Sequence, residues 1–382
     1  MNRRVAIIGA GISGVSIAYH LAKEGMKDII VFDKGYFASG ATGRCGAGVR
    51  QQWGTETNCI LAKRSMEFFE KADEILEYDD TVELKQEGYL ILATTEEEVE
   101  DFQKNVVLQN SLGIPSRVLT KEEALEIVPH LNPDAFISAT FCPTDGHLNP
   151  FKMTEAYYKA GQRMGVDFHF FEEVLSLTVS DNKVTEVITD KGTYTVDVVI
   201  NAAGGYSKEI GDLAGINIPV YSENHEILVT EPVEQLQGPM VMSFSKNIYC
   251  QQVPHGSFLM GRTTPNQPKG HDISSSWQFL DAMSQTVCEI MPLIGKLSLV
   301  RQWGGSYNIS PDHQPIISRA EELTNFYMAC GFSGHGFMLA PMTGEIMADL
   351  IFNRPSSVID LSELSIERFK GKTEFDIEKS VV

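Results

Sequence analysis

The chain has 382 residues, of which 43% are hydrophobic and 21% are charged, an ordinary composition for a globular enzyme of about two domains. Its 31 basic and 51 acidic side chains give a formal net charge of −20, which argues against nucleic acid or an anionic membrane as a partner. No segment approaches the roughly 18 apolar residues of a membrane-spanning helix. The apolar run at residues 5–8 is too short for a signal peptide. We therefore expect a cytoplasmic protein without membrane insertion.

The cysteines are scattered along the chain and form no Cys-x-x-Cys pair. Neither a zinc site nor a cysteine-ligated cluster is predicted, and no metal is expected. Reduced thiols agree with the cytoplasmic expectation. The six are Cys45, Cys59, Cys142, Cys250, Cys288 and Cys330.

The first predicted elements form a strand–turn–helix–strand unit. The apolar run 5–8 leads directly into Gly9, Gly11 and Gly14, a helical pattern follows, and a second apolar strand ends at Asp33, about 20 residues later, as in the dinucleotide-binding fingerprint. The glycines allow a tight turn, close approach to a pyrophosphate and packing of helix on strand, while the helix N-terminus favours phosphate. Because Asp33 can accept a hydrogen bond from a ribose hydroxyl and would repel a 2′-phosphate, FAD or NAD is favoured over NADP.

The next segment, residues 39–50, is a glycine-rich loop that carries Arg44 and Arg50. Its small residues allow the backbone to run close to a ligand, and its hydroxyls can bond phosphate oxygens. Beyond it, the patterns predict helices at about 56–78, 96–112, 120–128 and 149–164, and strands at 88–94, 166–171, 174–179, 184–189 and 196–200.

The last of these strands ends in small residues at 201–205, where an open α/β sheet binds its ligand. Short strands then follow one another from Glu226 to Arg262, which indicates an antiparallel sheet. The later predicted elements are a helix at 274–290, strands near 300–307, 315–317 and 326–330, a second glycine-rich loop at 331–336 and a helix at 338–351.

The second glycine-rich loop favours a flavin over a nicotinamide. A nicotinamide enzyme has no need of another strand–glycine loop–helix, whereas FAD is long and its isoalloxazine lies far from its adenine. The helix after residues 331–336 can direct its N-terminus at the negative charge that appears on a reduced flavin. The alternative interpretation is an ordinary strand-to-helix turn.

Taken in order, these motifs resemble those of the D-amino-acid oxidase superfamily of FAD-dependent enzymes, over essentially the whole chain. The resemblance rests on the fingerprint, the loop 39–50, the turn 201–205, the strand 301–305 and the loop 331–336. More narrowly, residues 44–52 and 331–338 are similar to the β subunits of heteromeric sarcosine oxidases and FAD-dependent L-proline dehydrogenases.

The resemblance implies a mixed α/β (α+β) fold made of two interleaved domains. A Rossmann-like FAD-binding domain would take residues 1–82, 148–218 and 320–382, and an antiparallel-sheet substrate domain would take 83–147 and 219–319. The implied reaction is oxidation of the C–N bond of a secondary or cyclic amino acid, L-proline or sarcosine-like, by hydride transfer to flavin N5. The chain would be the catalytic β subunit of a heteromeric dehydrogenase, assembled with a separate α subunit and small ferredoxin-like subunits.

The resemblance also implies how FAD is held. Monomeric sarcosine oxidases tether FAD through a cysteine near the position of Gly305, and glycine offers no nucleophile, so we expect non-covalent FAD. The residues expected to bind it are Gly9, Gly11, Ile12, Ser13, Gly14, Asp33, Lys34, Ser39, Gly40, Ala41, Thr42, Arg44, Cys45, Gly46, Val174, Ala202, Ala203, Gly204, Gly305, Gly331, Ser333, Gly334, His335, Gly336, Phe337 and Met338.

An amino-acid substrate needs a cation for its carboxylate, ideally the fork of an arginine. Arg50 is our first choice, because its loop should pass the flavin ring. The alternatives are that Arg44 or Arg50 pairs with FAD phosphate or with an acid, or that Arg301 is the anchor. Many sarcosine oxidases place a lysine where this chain has Met338. A methionine cannot bind a carboxylate, but Met338 does match the proline-type subunits.

Three further side chains are catalytic candidates. Tyr249 and Tyr307 stand where related oxidases place substrate-facing tyrosines, although each could instead be a packing aromatic. His335 is the best candidate for a flavin-proximal histidine, and His225 is the next. Trp303 is expected to pack beneath the site.

The sequence is also compatible with other functions. The chain could be a self-sufficient glycine or D-amino-acid oxidase that uses O2, or a flavin-bearing subunit that is inactive alone. A flavoenzyme of the glycerol-3-phosphate type would need more phosphate-binding cations than the sequence offers.

Overall fold

The computed structural model describes residues 3–356 and 358–380. Its helices are α1 (Ile12–Lys23), α2 (Glu56–Phe69), α3 (Ala72–Ile75), α4 (Glu96–Ser111), α5 (Lys121–Ile127), α6 (Pro150–Arg163), α7 (Ser207–Leu213), α8 (Trp277–Ile290) and α9 (Gly336–Ile351). Within these described ranges, no helix combines the length and the apolar character needed to cross a lipid bilayer.

The strands are β1 (Arg4–Ile8), β2 (Asp28–Asp33), β3 (Gly48–Val49), β4 (Tyr89–Ala93), β5 (Arg117–Leu119), β6 (Ser138–Cys142), β7 (Gly146–His147), β8 (Asp167–Phe170), β9 (Val174–Ser180), β10 (Lys183–Thr189), β11 (Thr193–Thr195), β12 (Val198–Asn201), β13 (Tyr221–Thr230), β14 (Met240–Ser243), β15 (Ile248–Gln252), β16 (Phe258–Arg262), β17 (Leu299–Ile309), β18 (Ile316–Arg319) and β19 (Phe326–Cys330).

The first large sheet has the strand order β18-β19-β12-β1-β2-β8 and is parallel except for β18. Its strands are apolar and buried on both faces, as parallel sheets require. Helices α1, α2, α6 and α9 cover one face. The small sheet β9–β11 and α7 cover the other. The carboxyl ends of β1, β2 and β12 therefore meet at one edge, where an open α/β sheet binds ligands.

The second large sheet has the order β17-β13-β16-β15-β14-β4-β6-β5. Its strands run antiparallel apart from the β4–β14 pair, so the predicted antiparallel character is confirmed with one exception. Helices α5 and α8 pack on one face. The other face carries Tyr89, Met240 and Tyr249, and all three side chains lie against the glycine-rich loop that follows β2.

Two helices begin close to where the sequence patterns predict them, at about residues 120 and 149. Thr120 and Glu123 form a capping box at the start of α5. The Asn149 side chain accepts from the backbone N–H groups of Phe151 and Lys152 at the start of α6.

Two predicted boundaries were wrong. The single helix expected at 56–78 is divided into α2 and α3, because Lys71 leaves the helical region (φ −122°, ψ 14°) and the turn lets Ala72 and Leu76 pack in the core. The strand at 316–319 fell in the predicted substrate domain, but it pairs with Phe326–Cys330 in the parallel sheet. The remaining division into two domains stays a prediction.

Candidate active site

A cavity of about 760 Å³ opens at the carboxyl ends of β1, β2 and β12, a size typical of small-molecule and cofactor sites. Most residues predicted to bind a dinucleotide line it: Gly9, Gly11, Ile12, Ser13, Asp33, Lys34, Ser39, Gly40, Ala41, Thr42, Arg44, Cys45, Val174, Ala202, Ala203, Gly204, Ser333, Gly334, Gly336 and Phe337.

Each glycine of the fingerprint is required for a different structural reason. Gly9 has a φ of +109°, and a Cβ there would overlap the carbonyl oxygen of Ala202. A Cβ on Gly14 would overlap the carbonyl oxygen of Gly9, whereas one on Gly11 would meet only the Thr42 Oγ1 atom at 3.2 Å. Gly9 and Gly14 therefore permit the turn and the packing of α1 on the sheet, and Gly11 leaves the cavity wall flat.

Asp33 is held in the cavity wall by two backbone donors. Its Oδ2 accepts from the Ala10 N–H and its Oδ1 from the Gly35 N–H, each at 2.7 Å. Each carboxylate oxygen has a second acceptor position. The carboxylate is therefore oriented and still able to accept from a ribose hydroxyl.

The polar groups of the cavity fit a dinucleotide. The first N–H groups of α1 lack helical partners, and Thr42 Oγ1 accepts from the Ile12 N–H at 3.1 Å. Among the described residues, the buried Ser306 Oγ and Asn308 Nδ2 atoms have no hydrogen-bond partner, and both residues line the cavity. Buried polar atoms without partners are costly, so a cofactor with many polar atoms suits this wall.

Six residues predicted to bind the cofactor do not line the cavity, and their cofactor role stays a prediction. These six residues are Gly14, Gly46, Gly305, Gly331, His335 and Met338. Met338 packs on the core, and the Gly331 N–H donates to Asn308 Oδ1 at 2.6 Å. The Gly46 carbonyl accepts from Gln251 Nε2 at 2.7 Å.

Other cavity residues were missed by the sequence analysis: Glu172, Glu173, Leu175, Tyr206, Glu209, Ile210, Leu213, His271, Ile273, Ser306 and Asn308 among them. Ser306 and Asn308 flank Tyr307 on β17. The alternation of polar and aromatic residues there is a sequence signal that points to these two residues. His271 and Ile273 reach the cavity from a long connection, for which no local pattern was available.

Two of the predicted catalytic residues form one aromatic stack with His225. The Tyr307 and His225 rings are parallel, with centroids 4.1 Å apart, and His225 Nε2 lies 3.2 Å from the Tyr249 hydroxyl. Tyr307 lines the cavity, whereas Tyr249 does not. The stack forms because β13 pairs with both β17 and β16, and β16 pairs in turn with β15.

This stack is electrically neutral near pH 7. Burial lowers the pKa of His225 to about 3, and burial raises the pKa values of Tyr249 and Tyr307 above the ordinary phenol range. The described groups that shift these two phenol pKa values are other phenols, Cys45 and Arg50, with no carboxylate among them. The site therefore offers uncharged hydrogen-bonding groups in an apolar setting.

Arg50 is buried and engaged elsewhere. It does not line the cavity; its guanidinium lies 3.7 Å from the centroid of the Trp53 ring. Its Nη1 donates to the Gln52 carbonyl at 2.6 Å and its Nη2 donates to the carbonyl of Ser380. Burial is the main influence on its pKa and lowers it, against the opposing charges of Glu378 and Asp145 among others.

The segment carrying Arg50 is positioned by a buried carboxylate. Asp145 accepts from the Gln51 N–H at 2.8 Å and from Gln52 Nε2 at 3.0 Å. Burial raises the pKa of Asp145 to about 6, although these hydrogen bonds act against the rise. Sequence reasoning had no signal for Asp145, which is 95 residues away from Arg50 along the chain.

His335 caps the start of α9 and is buried beside Trp53, with ring centroids 4.9 Å apart. Burial, followed by the charge of Arg50, lowers its pKa to about 3. Neither ring nitrogen has a partner within the described part of the chain. Trp303, which was expected to pack beneath the site, packs on the second sheet, and its Nε1 donates to the Arg44 carbonyl at 3.0 Å.

Comparisons with known proteins agree with this geometry. A family model described as FAD dependent oxidoreductase matches residues 4–350. The chain is 36% identical to L-proline dehydrogenase from P. horikoshii, whose crystal structure aligns with a TM-score of 0.91 over 96% of this chain and 98% of that one.

Two further relatives are similar over nearly their full lengths. The sarcosine oxidase subunit beta of an Arthrobacter species is 28% identical over 372 residues, which cover 96% of this chain and 91% of the relative. The crystal structure of glycine oxidase from Geobacillus kaustophilus aligns with a TM-score of 0.88 and 25% identity, over 97% of this chain and 99% of that one. The resemblance seen in the sequence is confirmed: the chain belongs to the family of FAD-dependent oxidoreductases, and FAD is the dinucleotide for which its cavity is built.

Proposed function

We propose that the chain oxidises the C–N bond of a secondary or cyclic amino acid of the L-proline or sarcosine type. The observation that carries this proposal is the neutral stack of Tyr249, His225 and Tyr307, of which Tyr307 lines the FAD cavity. Its support is the similarity to an L-proline dehydrogenase and to a sarcosine oxidase subunit.

When bound, FAD supplies the two-electron acceptor, which takes a hydride at its N5 atom. The carbon that loses the hydride must carry a neutral amine, because a protonated amine has no lone pair to assist. A site that removes water and offers no facing carboxylate lowers the pKa of an amine. The neutral stack of Tyr249, His225 and Tyr307 therefore favours the reactive form of the substrate.

Tyr307, which lines the cavity, can also orient the substrate, and Tyr249 supports it through His225. Tyr307 and Tyr249 stay protonated because burial raises their pKa values, so each keeps an O–H donor and an acceptor. A phenol can donate to a substrate carboxylate or accept from the amine N–H. His225, with a pKa lowered to about 3, is a weak base and acts here as a positioning residue for Tyr249.

Arg50 is the proposed anchor for the substrate carboxylate. Its guanidinium is desolvated and uses one arm on the Ser380 carbonyl. A carboxylate accepts a charge-assisted, bidentate pair and is a stronger partner than a neutral carbonyl. Binding of substrate would therefore exchange the Ser380 carbonyl for the carboxylate.

An anaerobic substrate screen tests the proposed reaction. The FAD-loaded chain is mixed with L-proline, sarcosine, glycine, D-alanine or glycerol 3-phosphate, and bleaching of the flavin absorbance is followed. Bleaching by L-proline or sarcosine is expected. Bleaching only by glycine or D-alanine would replace the proposal with a glycine or D-amino-acid oxidase, and bleaching only by glycerol 3-phosphate with an alcohol oxidation. No bleaching would indicate a subunit that is inactive alone.

We also propose that the chain works as the β-type subunit of a heteromeric dehydrogenase, with a separate α subunit and small ferredoxin-like subunits. The similarity to a protein named as a subunit supports this. In stopped-flow mixing with air, the substrate-reduced chain should be reoxidised more slowly than the complex turns over. Reoxidation at the turnover rate, by a chain that stays unpartnered in its native lysate, would contradict the proposal.

A further inference from the structure

A long connection from the second sheet forms part of the wall of the FAD cavity. Residues 263–276 join β16 to α8, and their base is tied to β13. The Gly270 N–H donates to the Ser222 carbonyl at 2.8 Å, and Asn224 Nδ2 donates to the Ser274 carbonyl at 2.6 Å. The part of the connection at His271 and Ile273 lies in the cavity wall.

His271 closes this connection onto the parallel-sheet side of the cavity. Its ring lies nearly parallel to that of Tyr206, which follows β12, with centroids 4.0 Å apart and an interplanar angle of 14°. The ammonium of Lys34, which follows β2, lies 3.2 Å from the centroid of the same Tyr206 ring. Two groups this near to one ring centre cannot share a face, so Tyr206 is held between His271 and Lys34.

His271 also contacts a carboxylate through one ring nitrogen, and its other ring nitrogen is buried without a partner among the described residues. His271 Nε2 lies 2.6 Å from Glu209 Oε1 on α7, and because a carboxylate only accepts, Nε2 carries the hydrogen. In the neutral ring Nδ1 is then an acceptor; it is buried and has no partner in residues 3–356 and 358–380. All four side chains line the cavity: Lys34, Tyr206, Glu209 and His271.

We propose that this arrangement is a clasp that retains FAD. Segments from three places in the chain meet over one rim of the cavity, and the contact that closes it, His271 on Tyr206, joins the two large sheets. FAD cannot leave across this rim without separating the two rings. The clasp therefore sets the rate of FAD release, independently of the substrate that the enzyme oxidises.

Release of FAD from the holoenzyme tests the proposal. After dilution, dissociation is followed by the rise in fluorescence of free flavin, for the parent chain and for His271→Ala, Tyr206→Ala and the double variant. An aromatic pair of this kind predicts roughly a 2- to 10-fold faster release for each single variant. In the double variant the acceleration should be smaller than the product of the two single accelerations, because both substitutions remove the ring contact, and only the Lys34 and Glu209 contacts are lost separately.

Two controls separate a clasp from a general loss of structure. His255→Ala replaces an exposed histidine in the turn between β15 and β16 and should release FAD at the parent rate. His271→Phe keeps a ring on Tyr206 and should release FAD more slowly than His271→Ala. Equal release by the parent, His271→Ala and Tyr206→Ala would overturn the proposal. So would His271→Phe releasing as fast as His271→Ala, or an equal acceleration in His255→Ala.

Discussion

At the scale of single residues, burial determines the chemistry more than residue type does. Burial lowers the pKa of Arg50, while its guanidinium lies over the Trp53 ring and donates to two backbone carbonyls. His225 and His335 are held neutral by the same loss of water. The sequence identified Arg50 and His335 from their motifs, but their protonation and their partners depend on residues far away in the chain.

The Arg50→Ala substitution tests the carboxylate anchor. Charged hydrogen bonds of this kind contribute roughly 1.5–3 kcal/mol, so kcat/KM should fall by about ten- to a hundredfold while FAD content stays unchanged. Arg50→Lys should recover only part of the loss, because lysine has no fork. Arg301→Ala, at an exposed arginine on β17, is the matched control. Loss of FAD would show that Arg50 serves the cofactor, and unchanged kinetics would show that it serves neither.

Non-covalent attachment of FAD is the second prediction at this scale. Gly305 has no nucleophile, and a Cβ there would meet the Cβ of Arg44 at 3.0 Å. Cys45 does line the cavity, but burial raises the pKa of its thiol to about 12, and a protonated thiol is a poor nucleophile. Acid precipitation of the holoenzyme should leave yellow flavin in the supernatant; a flavin-labelled pellet would contradict this.

At the scale of elements, the fingerprint unit was predictable because its signals are local. Strand, glycines, helix and the acid that ends β2 all lie within about 30 residues. The stack of Tyr249, His225 and Tyr307 was not predictable, because it depends on the pairing of β13 with β16 and β17. The connection carrying His271 lacked even a periodic pattern, so its place in the cavity wall emerged only from the fold.

The Gly14→Ala substitution tests the fit of α1 on the sheet. The added Cβ would overlap the Gly9 carbonyl oxygen, and overpacking costs typically 1–3 kcal/mol. The helix must move from β1, so FAD affinity should fall by at least about tenfold and Tm should drop. Gly192→Ala, where a Cβ would make only ordinary contact with Tyr194, should leave both values unchanged. Retention of parent FAD affinity in Gly14→Ala would refute the assigned role.

At the scale of the whole molecule, contacts across the chain complete the site. The sequence placed the C-terminal segment in the FAD-binding domain but predicted no site residue near its end. In the structure the Glu378 carboxylate accepts from Asn58 Nδ2 at 3.0 Å, and the Ser380 carbonyl accepts from Arg50. Sequence reasoning identified the family, the cofactor and most of the cavity wall. It could not identify residues whose positions are set by chain segments hundreds of residues apart.

The pH dependence of stability follows from the buried histidines. Burial lowers the pKa values of His20, His225 and His335 to about 3, and that of His147 to about 4. The unfolded chain, with histidine pKa values near 6.5, therefore binds more protons between about pH 3 and 6.5. The free energy of unfolding should be greatest above about pH 6.5 and fall as the pH drops.

Asp145, Glu223 and His169 oppose this trend, because their raised pKa values make protonation favour the folded state. For Asp145, whose pKa is raised to about 6, this happens as the pH falls from about 6 to 4. Together they offset only part of the effect of four histidines. Thermal melts between about pH 7.5 and 5 should show Tm falling with acidification, and the same slope in His255→Ala, whose histidine is exposed. A Tm that is constant or rises toward pH 5 would contradict the account.

The central claim is that this FAD-dependent oxidoreductase removes a hydride from the carbon beside a secondary amine. The most direct measurement is an anaerobic single turnover of the FAD-loaded chain with L-proline or sarcosine, unlabelled or deuterated at that carbon. We predict one substrate oxidised to its imine for each FAD reduced, and slower flavin bleaching with the deuterated substrate. Flavin that stays oxidised with both amino acids, or bleaching without any imine product, would contradict the claim.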